Sequence, residues 1–179
     1  MKNLPEKIQI AANIAIILVA FLLGGVLVKP YIFPAVPKSV PTNEGIKIGT
    51  KLTLTDVDWN KSEKNLVLVL SSTCRFCNES APFYQKLAAQ KTGQNNIRLI
   101  AVMPQTAAEA KQYLDNHKIS VDEIKQTNPD TINVRGTPTL VLVDNTGAVV
   151  QSWVGKLPPE KEEEVFQQLF GGEHANHKH

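Results

Sequence analysis

Leu66-Val67-Leu68-Val69-Leu70-Ser71-Ser72-Thr73-Cys74-Arg75-Phe76-Cys77-Asn78 is the segment that sets the architecture of this chain. Residues 66–70 are continuously aliphatic and few, the pattern of a central strand covered on both faces. Residues 78–90 then carry Ala81, Tyr84, Leu87 and Ala88 at helical spacing. Cys74 and Cys77, the only cysteines of the 179 residues, therefore fall where a buried strand gives way to a helix.

That placement carries chemistry. The spacing puts both sulfurs within reach of each other on a first helical turn, where free amide groups and the helix's partial positive charge favour thiolate over thiol. Cys74, at the exposed junction, is expected to attack, and Cys77, one turn inside, to resolve the mixed disulfide. Arg75 between them adds a positive charge, so Cys74 is expected to titrate below the free-thiol value of about 8.5. A structural disulfide closing so small a loop would constrain little of the unfolded chain. Half a zinc site would need further ligands, and the chain offers only His117, His174, His177 and His179, so neither a metal nor a cofactor is expected. Glu79 reads as an exposed helix residue with no part in the mechanism.

The elements around the pair alternate. Residues 46–59 mix apolar and polar positions as an edge strand or hairpin would. Residues 97–103 read as a second buried strand, 107–117 as a helix, 139–143 as a third strand and 148–154 as its hairpin partner, with Asp144-Asn145-Thr146-Gly147 as the turn. Residues 159–170 close with a helix whose first turn is acidic. In Gly136-Thr137-Pro138-Thr139 a proline stands directly ahead of a buried strand, where its missing donor is usually avoided. A cis Thr137–Pro138 peptide would turn the chain sharply and leave backbone near Thr137 free to pair with an extended peptide.

The amino end has a different character. Residues 8–28 hold no charged side chain, and about twenty such residues cover the roughly 30 Å hydrocarbon core of a bilayer. No small-residue cleavage site follows, so a membrane anchor is expected rather than a removed signal peptide. Residues 1–29 read as cytoplasmic tip and anchor, 30–45 as a proline-bearing, semi-rigid spacer, 46–170 as the folded domain and 171–179 as a polar histidine-containing tail. Nineteen basic against seventeen acidic residues leave a net charge of +2, too small and too dispersed for a nucleic-acid footprint.

Over residues 46–170 the chain resembles the thioredoxin superfamily, and within it the membrane-anchored, extracytoplasmic proteins of the TlpA and ResA type. The likeness rests on the Cys74 to Cys77 pair after a buried strand, Pro82 five residues past the second cysteine, and Thr137-Pro138 before a later strand. It implies an α/β fold with a mixed central sheet flanked by helices. It also implies Cys74 as attacking thiol, Cys77 as resolving thiol, Pro138 as a cis-proline against the pair, and Thr137 as backbone for the substrate. By the same resemblance the domain faces the periplasm or the outside. Three features depart from the family pattern: Thr73 replaces the usual tryptophan, Arg75-Phe76 replaces Gly-Pro, and the strand before the pair lacks a buried acid.

The expected activity is dithiol–disulfide exchange with extracytoplasmic proteins, provisionally as a reductant recharged by a membrane or extracytoplasmic thiol donor. A dithiol oxidase or isomerase of the same fold is the nearest alternative. A non-catalytic tethered module, or a metal carrier using the cysteines with the histidine tail, is the more distant one.

Overall fold

The aliphatic run forms strand β1, Lys64–Val69, and residues 66–70 have no solvent exposure at all. The chain continues through helix α1 (Arg75–Glu79), helix α2 (Ala81–Lys91), strand β2 (Ile97–Met103), helix α3 (Ala107–Asn116) and strand β3 (Glu123–Gln126). Strand β4 (Thr139–Asp144), strand β5 (Val149–Val154) and helix α4 (Pro159–Phe170) complete it. These elements come from a computed structural model that describes residues 45–171. The expected span over residues 8–28, nearly all of the spacer and the tail beyond Gly171 lie outside the described residues. Among those described, no helix is long and apolar enough to cross a membrane.

The five strands form one sheet in the order β3-β2-β1-β4-β5. Strand β1 pairs parallel with β2 and antiparallel with β4, while β2–β3 is parallel and β4–β5 antiparallel. This is the mixed central sheet with helices that the resemblance implied. Because side chains alternate across a strand, β1 feeds two cores. Leu66 and Leu68 join Leu99, Leu140 and Leu142 on one face, and there Tyr84 and Leu87 of α2, Leu114 of α3 and Leu169 of α4 cover them. Val67 and Val69 join Ile100, Val102, Val141 and Val143 on the other face, closed by Leu52 and Leu54 from irregular chain, Ile132 of the short 3-10 helix Pro129–Ile132, and Val134 just after it.

Three expectations need correction. Residues 46–59 form no strand or hairpin: the segment touches the sheet at an isolated Lys51–Ala148 bridge, and a tight Leu54 N–H to Leu52 carbonyl bond and a left-handed Asp56 break its extension. The expected helix over 78–90 is two helices meeting at Ser80, since Pro82 has no amide with which to continue the Asn78 ladder. Strand β3 went unread because Glu-Ile-Lys-Gln is short and half charged. Its charges have partners: Arg98 of β2 pairs with Glu123 and donates to the Asp58 carbonyl at 2.9 Å, and Lys125 pairs with Glu123 at 2.8 Å. A charged, four-residue strand also suits an exposed sheet edge.

The sheet's dependence on β1 makes a quantitative expectation. Leu68→Ala, at a position with 0 % exposure, should lower the unfolding free energy of the full chain by roughly 2–5 kcal/mol. Val150→Ala, at 41 % exposure, should change it by less than about 1 kcal/mol. Urea denaturation of the two variants beside the parent measures both.

Candidate active site

Strand β1 ends where the Leu70 amide makes a last bond to the Val102 carbonyl at 2.9 Å. The following turn is held by side chains. Gln105, from the loop after β2, donates to the Ser71 hydroxyl at 3.1 Å and accepts from the Ser72 amide at 3.4 Å. The Ser71 and Thr73 hydroxyls lie 3.1 Å apart, and the Cys74 amide donates to the Ser71 carbonyl at 3.1 Å. Residues 71–74 thus arrive at the helix in a fixed geometry. Sequence reasoning passed over Gln105, because a glutamine in a loop carries no periodic signal.

Cys74 is the N-cap of α1, in extended conformation, and its sulfur accepts from the Cys77 amide at 3.3 Å. A side-chain acceptor is what a helix start asks of its cap, and here the acceptor is a sulfur. As a thiol, Cys74 donates to the Thr137 carbonyl at 3.3 Å. Thr137–Pro138 is a cis peptide, as expected, and its loop is tied to the strands by Gly155 N–H to Pro138 carbonyl at 2.7 Å and Thr139 hydroxyl to Gly136 carbonyl at 2.8 Å. Four residues singled out from sequence, Cys74, Cys77, Thr137 and Pro138, therefore meet at one place.

The two thiols, both free, are unlike. Cys74 is partly exposed and Cys77 fully buried. Burial pushes the Cys74 thiol up, but hydrogen bonding from the Cys77 thiol, the Thr137 side chain and the Cys77 and Phe76 amides outweighs it, and the net shift is downward. Burial pushes Cys77 up to about 12, reinforced by its hydrogen bond to Cys74 and by the Cys74 charge. One sulfur is thus prepared to ionise and the other to stay protonated.

Arg75 is placed differently from its expected role. Its side chain is 85 % exposed, and its Nε donates to Glu79 at 2.7 Å, while Lys156 reaches the same carboxylate at 2.8 Å. Lys156 and then Arg75 hold the Glu79 carboxyl below its usual range. The groups that lower Cys74 are hydrogen-bond donors, and the guanidinium is not among them. Phe76, between the cysteines, is 52 % exposed. Among the described residues no group of three or more His, Cys, Asp or Glu is placed to hold a metal ion, and His117 packs its ring 4.6 Å from that of Tyr113.

The arrangement has relatives. The sequence model of the thioredoxin-like domain family matches residues 56–170, and the chain belongs to that family. No curated protein matches the chain. Among solved structures, a thiol:disulfide interchange protein DsbE from Chlorobium tepidum is similar at 21 % identity and TM-score 0.58, over 70 % of this chain and 96 % of its own. A thiol:disulfide interchange protein from Bacteroides sp. is similar at 19 % identity and TM-score 0.53, over 74 % and 91 %. A thiol-disulfide isomerase from Corynebacterium glutamicum is similar at 14 % identity and TM-score 0.51, over 72 % and 96 %. At such identities the likeness establishes the fold.

Since the thiolate is the reactive form, a lowered pKa shows as reactivity at lower pH. Alkylation of the reduced full chain should modify Cys74 with a midpoint below that of a free thiol and leave Cys77 untouched until the solution nears pH 12. Arg75→Gln should move the Cys74 midpoint by no more than about 0.3, as befits an exposed, paired charge. Peptide mapping after alkylation reads both.

Proposed function

We propose that this member of the thioredoxin-like family is a membrane-tethered thiol–disulfide oxidoreductase that exchanges the Cys74/Cys77 dithiol with disulfides of extracytoplasmic proteins. The observation that carries the proposal is the unequal state of the two sulfurs: an accessible Cys74 lowered by hydrogen bonding and a buried Cys77 raised to about 12. A structural disulfide or a metal site would have no use for that inequality. Exchange requires it, because the attacking sulfur must be charged first and the resolving sulfur only later.

The Cys74 thiolate attacks a disulfide sulfur of the partner, whose other sulfur leaves as a thiolate. Cys77 then attacks Cys74, the mixed disulfide breaks, and the partner departs with both sulfurs reduced while the pair becomes a disulfide. Thr137 supports this step through its side chain, which favours the Cys74 thiolate, while its carbonyl accepts from Cys74 only in the thiol form. Pro138 fixes the loop beside the pair, and Phe76 offers the partner an apolar contact at the rim. No cofactor enters the reaction. Electrons come from a membrane or extracytoplasmic thiol carrier, because a cysteine pair outside the cytosol lacks the glutathione pool.

The proposed direction is reduction of the partner. A lowered Cys74 is the observation that favours the reverse direction, a dithiol oxidase or isomerase, since stabilising the thiolate stabilises the reduced pair. In the proposed layout residues 1–29 are tip and anchor, 30–45 the spacer, 46–170 the working domain and 171–179 a polar tail. The reading of residues 8–28 as a span supports a domain held at the outer face of the cell membrane.

Cys77→Ser should accumulate a mixed disulfide with extracytoplasmic proteins, visible as reductant-sensitive bands, whereas Cys74→Ser should accumulate none. Adducts formed by Cys74→Ser but not by Cys77→Ser would reverse the roles. In cells, the full chain should stay with the membrane pellet through alkaline carbonate washing, and a chain lacking residues 1–29 should be released by it.

A further inference from the structure

The attacking sulfur of the exchange proposed above is held by contacts that tolerate little displacement. Cys74 Sγ lies 3.3 Å from the Cys77 amide nitrogen and 3.3 Å from the Thr137 carbonyl oxygen. One group belongs to α1 and the other to the loop ahead of β4, so the sulfur meets both only while residues 71–73 deliver Cys74 to one place. That turn has little stiffness of its own. Ser71, Ser72 and Thr73 are small and polar, are half-buried or exposed, and put no side chain into either core. Its internal bonds are the contact of the Ser71 and Thr73 hydroxyls at 3.1 Å, the Thr73 amide to the Ser71 hydroxyl at 3.4 Å, and the Cys74 amide to the Ser71 carbonyl at 3.1 Å. All of them run through Ser71.

Gln105 joins Ser71 to the rest of the fold. Strands β1 and β2 are parallel with Val69 beside Val102, so the chain leaving each strand emerges next to the other. Gln105, three residues past Val102, donates from Nε2 to the Ser71 hydroxyl at 3.1 Å and accepts at Oε1 from the Ser72 amide at 3.4 Å. Among the described residues it is the one side chain outside the turn and α1 that bonds to residues 71–73. Gln105 is itself anchored on both sides. Met103 is fully buried and its carbonyl accepts from the Thr127 amide at 2.9 Å, while Thr106 caps α3 through a reciprocal pair of bonds with Glu109. A carboxamide suits the place, because it donates and accepts at once and brings no charge to the Cys74 thiolate. Lysine could only donate, and an ionised glutamate would oppose the thiolate.

We propose that Gln105 is a positioning residue for the exchange: by fixing Ser71 and Ser72 it holds the Cys74 sulfur between the Cys77 amide and the Thr137 carbonyl, and so sets the speed of the first attack. The proposal rests on the exchange reading and deepens its first step. In that step the Cys74 thiolate forms a bond to one sulfur of the partner disulfide, the bond between the partner's sulfurs breaks, and the other sulfur leaves as a thiolate with the electron pair. Gln105 touches no reacting atom. Without it the turn loosens, the Cys74 sulfur drifts from the Cys77 amide, and two effects arrive together. The thiolate loses a donor and forms only at higher pH. The sulfur is also aligned for attack less of the time, which lowers the rate even when every Cys74 is ionised. A raised pKa alone would make the thiolate a better nucleophile. A midpoint that rises while the limiting rate falls is therefore the mark of lost position.

The test uses the reduced full chain in detergent with 2,2′-dithiodipyridine, an uncharged disulfide that releases one absorbing thione when Cys74 attacks and a second when Cys77 resolves. The rate of the first release, followed against pH, gives a midpoint and a limiting rate at full ionisation. Gln105→Met keeps the length of the side chain and removes both hydrogen bonds. Its midpoint should rise and its limiting rate fall, together slowing the first release at neutral pH about tenfold, the worth of one or two neutral hydrogen bonds. Ser71→Ala, which leaves Gln105 in place and removes the hydroxyl it donates to, should shift the profile the same way and carries the test if Gln105→Met does not fold. The double variant should stay within about twofold of the slower single one, because both act through one contact. A Gln105→Met profile with an unmoved midpoint and rates within about twofold of the parent's overturns the proposal, whatever the melting temperature. So does a limiting rate that holds or rises with the midpoint, or slowing that multiplies in the double variant. A parent that reacts once and never gives a second release overturns the exchange reading instead, while the first-release profiles still decide the role of Gln105.

Discussion

Strand β1 has no solvent-facing side, and the rest of the fold is arranged to satisfy that. Two cores must be built against it, one by the helices and one by irregular chain, and it must be paired on both edges. Its buried backbone groups leave no freedom to slip, because a one-residue shift would exchange its leucines and valines between the two cores. The end of β1 is consequently a well-defined point in space. The short turn from Ser71 to Cys74, braced by Gln105, carries that definition to the first sulfur.

From that point the unequal chemistry of the sulfurs follows with few further parts. A helix must begin after the turn, its start needs an acceptor, and Cys74 provides one. The residue three positions on lies under the first helical turn and against the Leu66/Leu68 core, so Cys77 is buried by geometry rather than by special neighbours. Hydrogen bonds lower one thiol and burial raises the other. Arg75 and Lys156 meanwhile both pair with Glu79 at the rim, whose carboxylate offsets their charge there. A full charge one residue from Cys74 thus does less than a neutral amide that points at its sulfur, because the amide is directed and shielded while the guanidinium is hydrated.

Much of this was legible in the sequence. A continuous aliphatic run announces β1, a run interrupted only by Arg98 announces β2, and Pro159–Phe170 is announced by its acidic first turn. The pairing of Thr137-Pro138 with the cysteines was readable only through the family resemblance, since 63 residues separate Cys74 from Thr137 and no local pattern links them. Strand β3 escaped because four half-exposed residues with two charges have no hydrophobic period. Residues 46–59 misled for the opposite reason. Leu52 and Leu54 alternate as strand residues do, yet they cap the second core from a chain path that turns on itself.

The account stands on one claim, that Cys74 and Cys77 form a reversible two-electron couple with each other. Equilibration of the full chain across a series of dithiothreitol or glutathione buffers, with mapping of the disulfide, tests it directly. The account predicts a single two-electron transition between roughly −270 and −120 mV, the range spanned by thioredoxin-like reductants and oxidants, with the bond confined to Cys74 and Cys77. A pair that never closes on itself across that range, or that oxidises only by linking two chains, would contradict it.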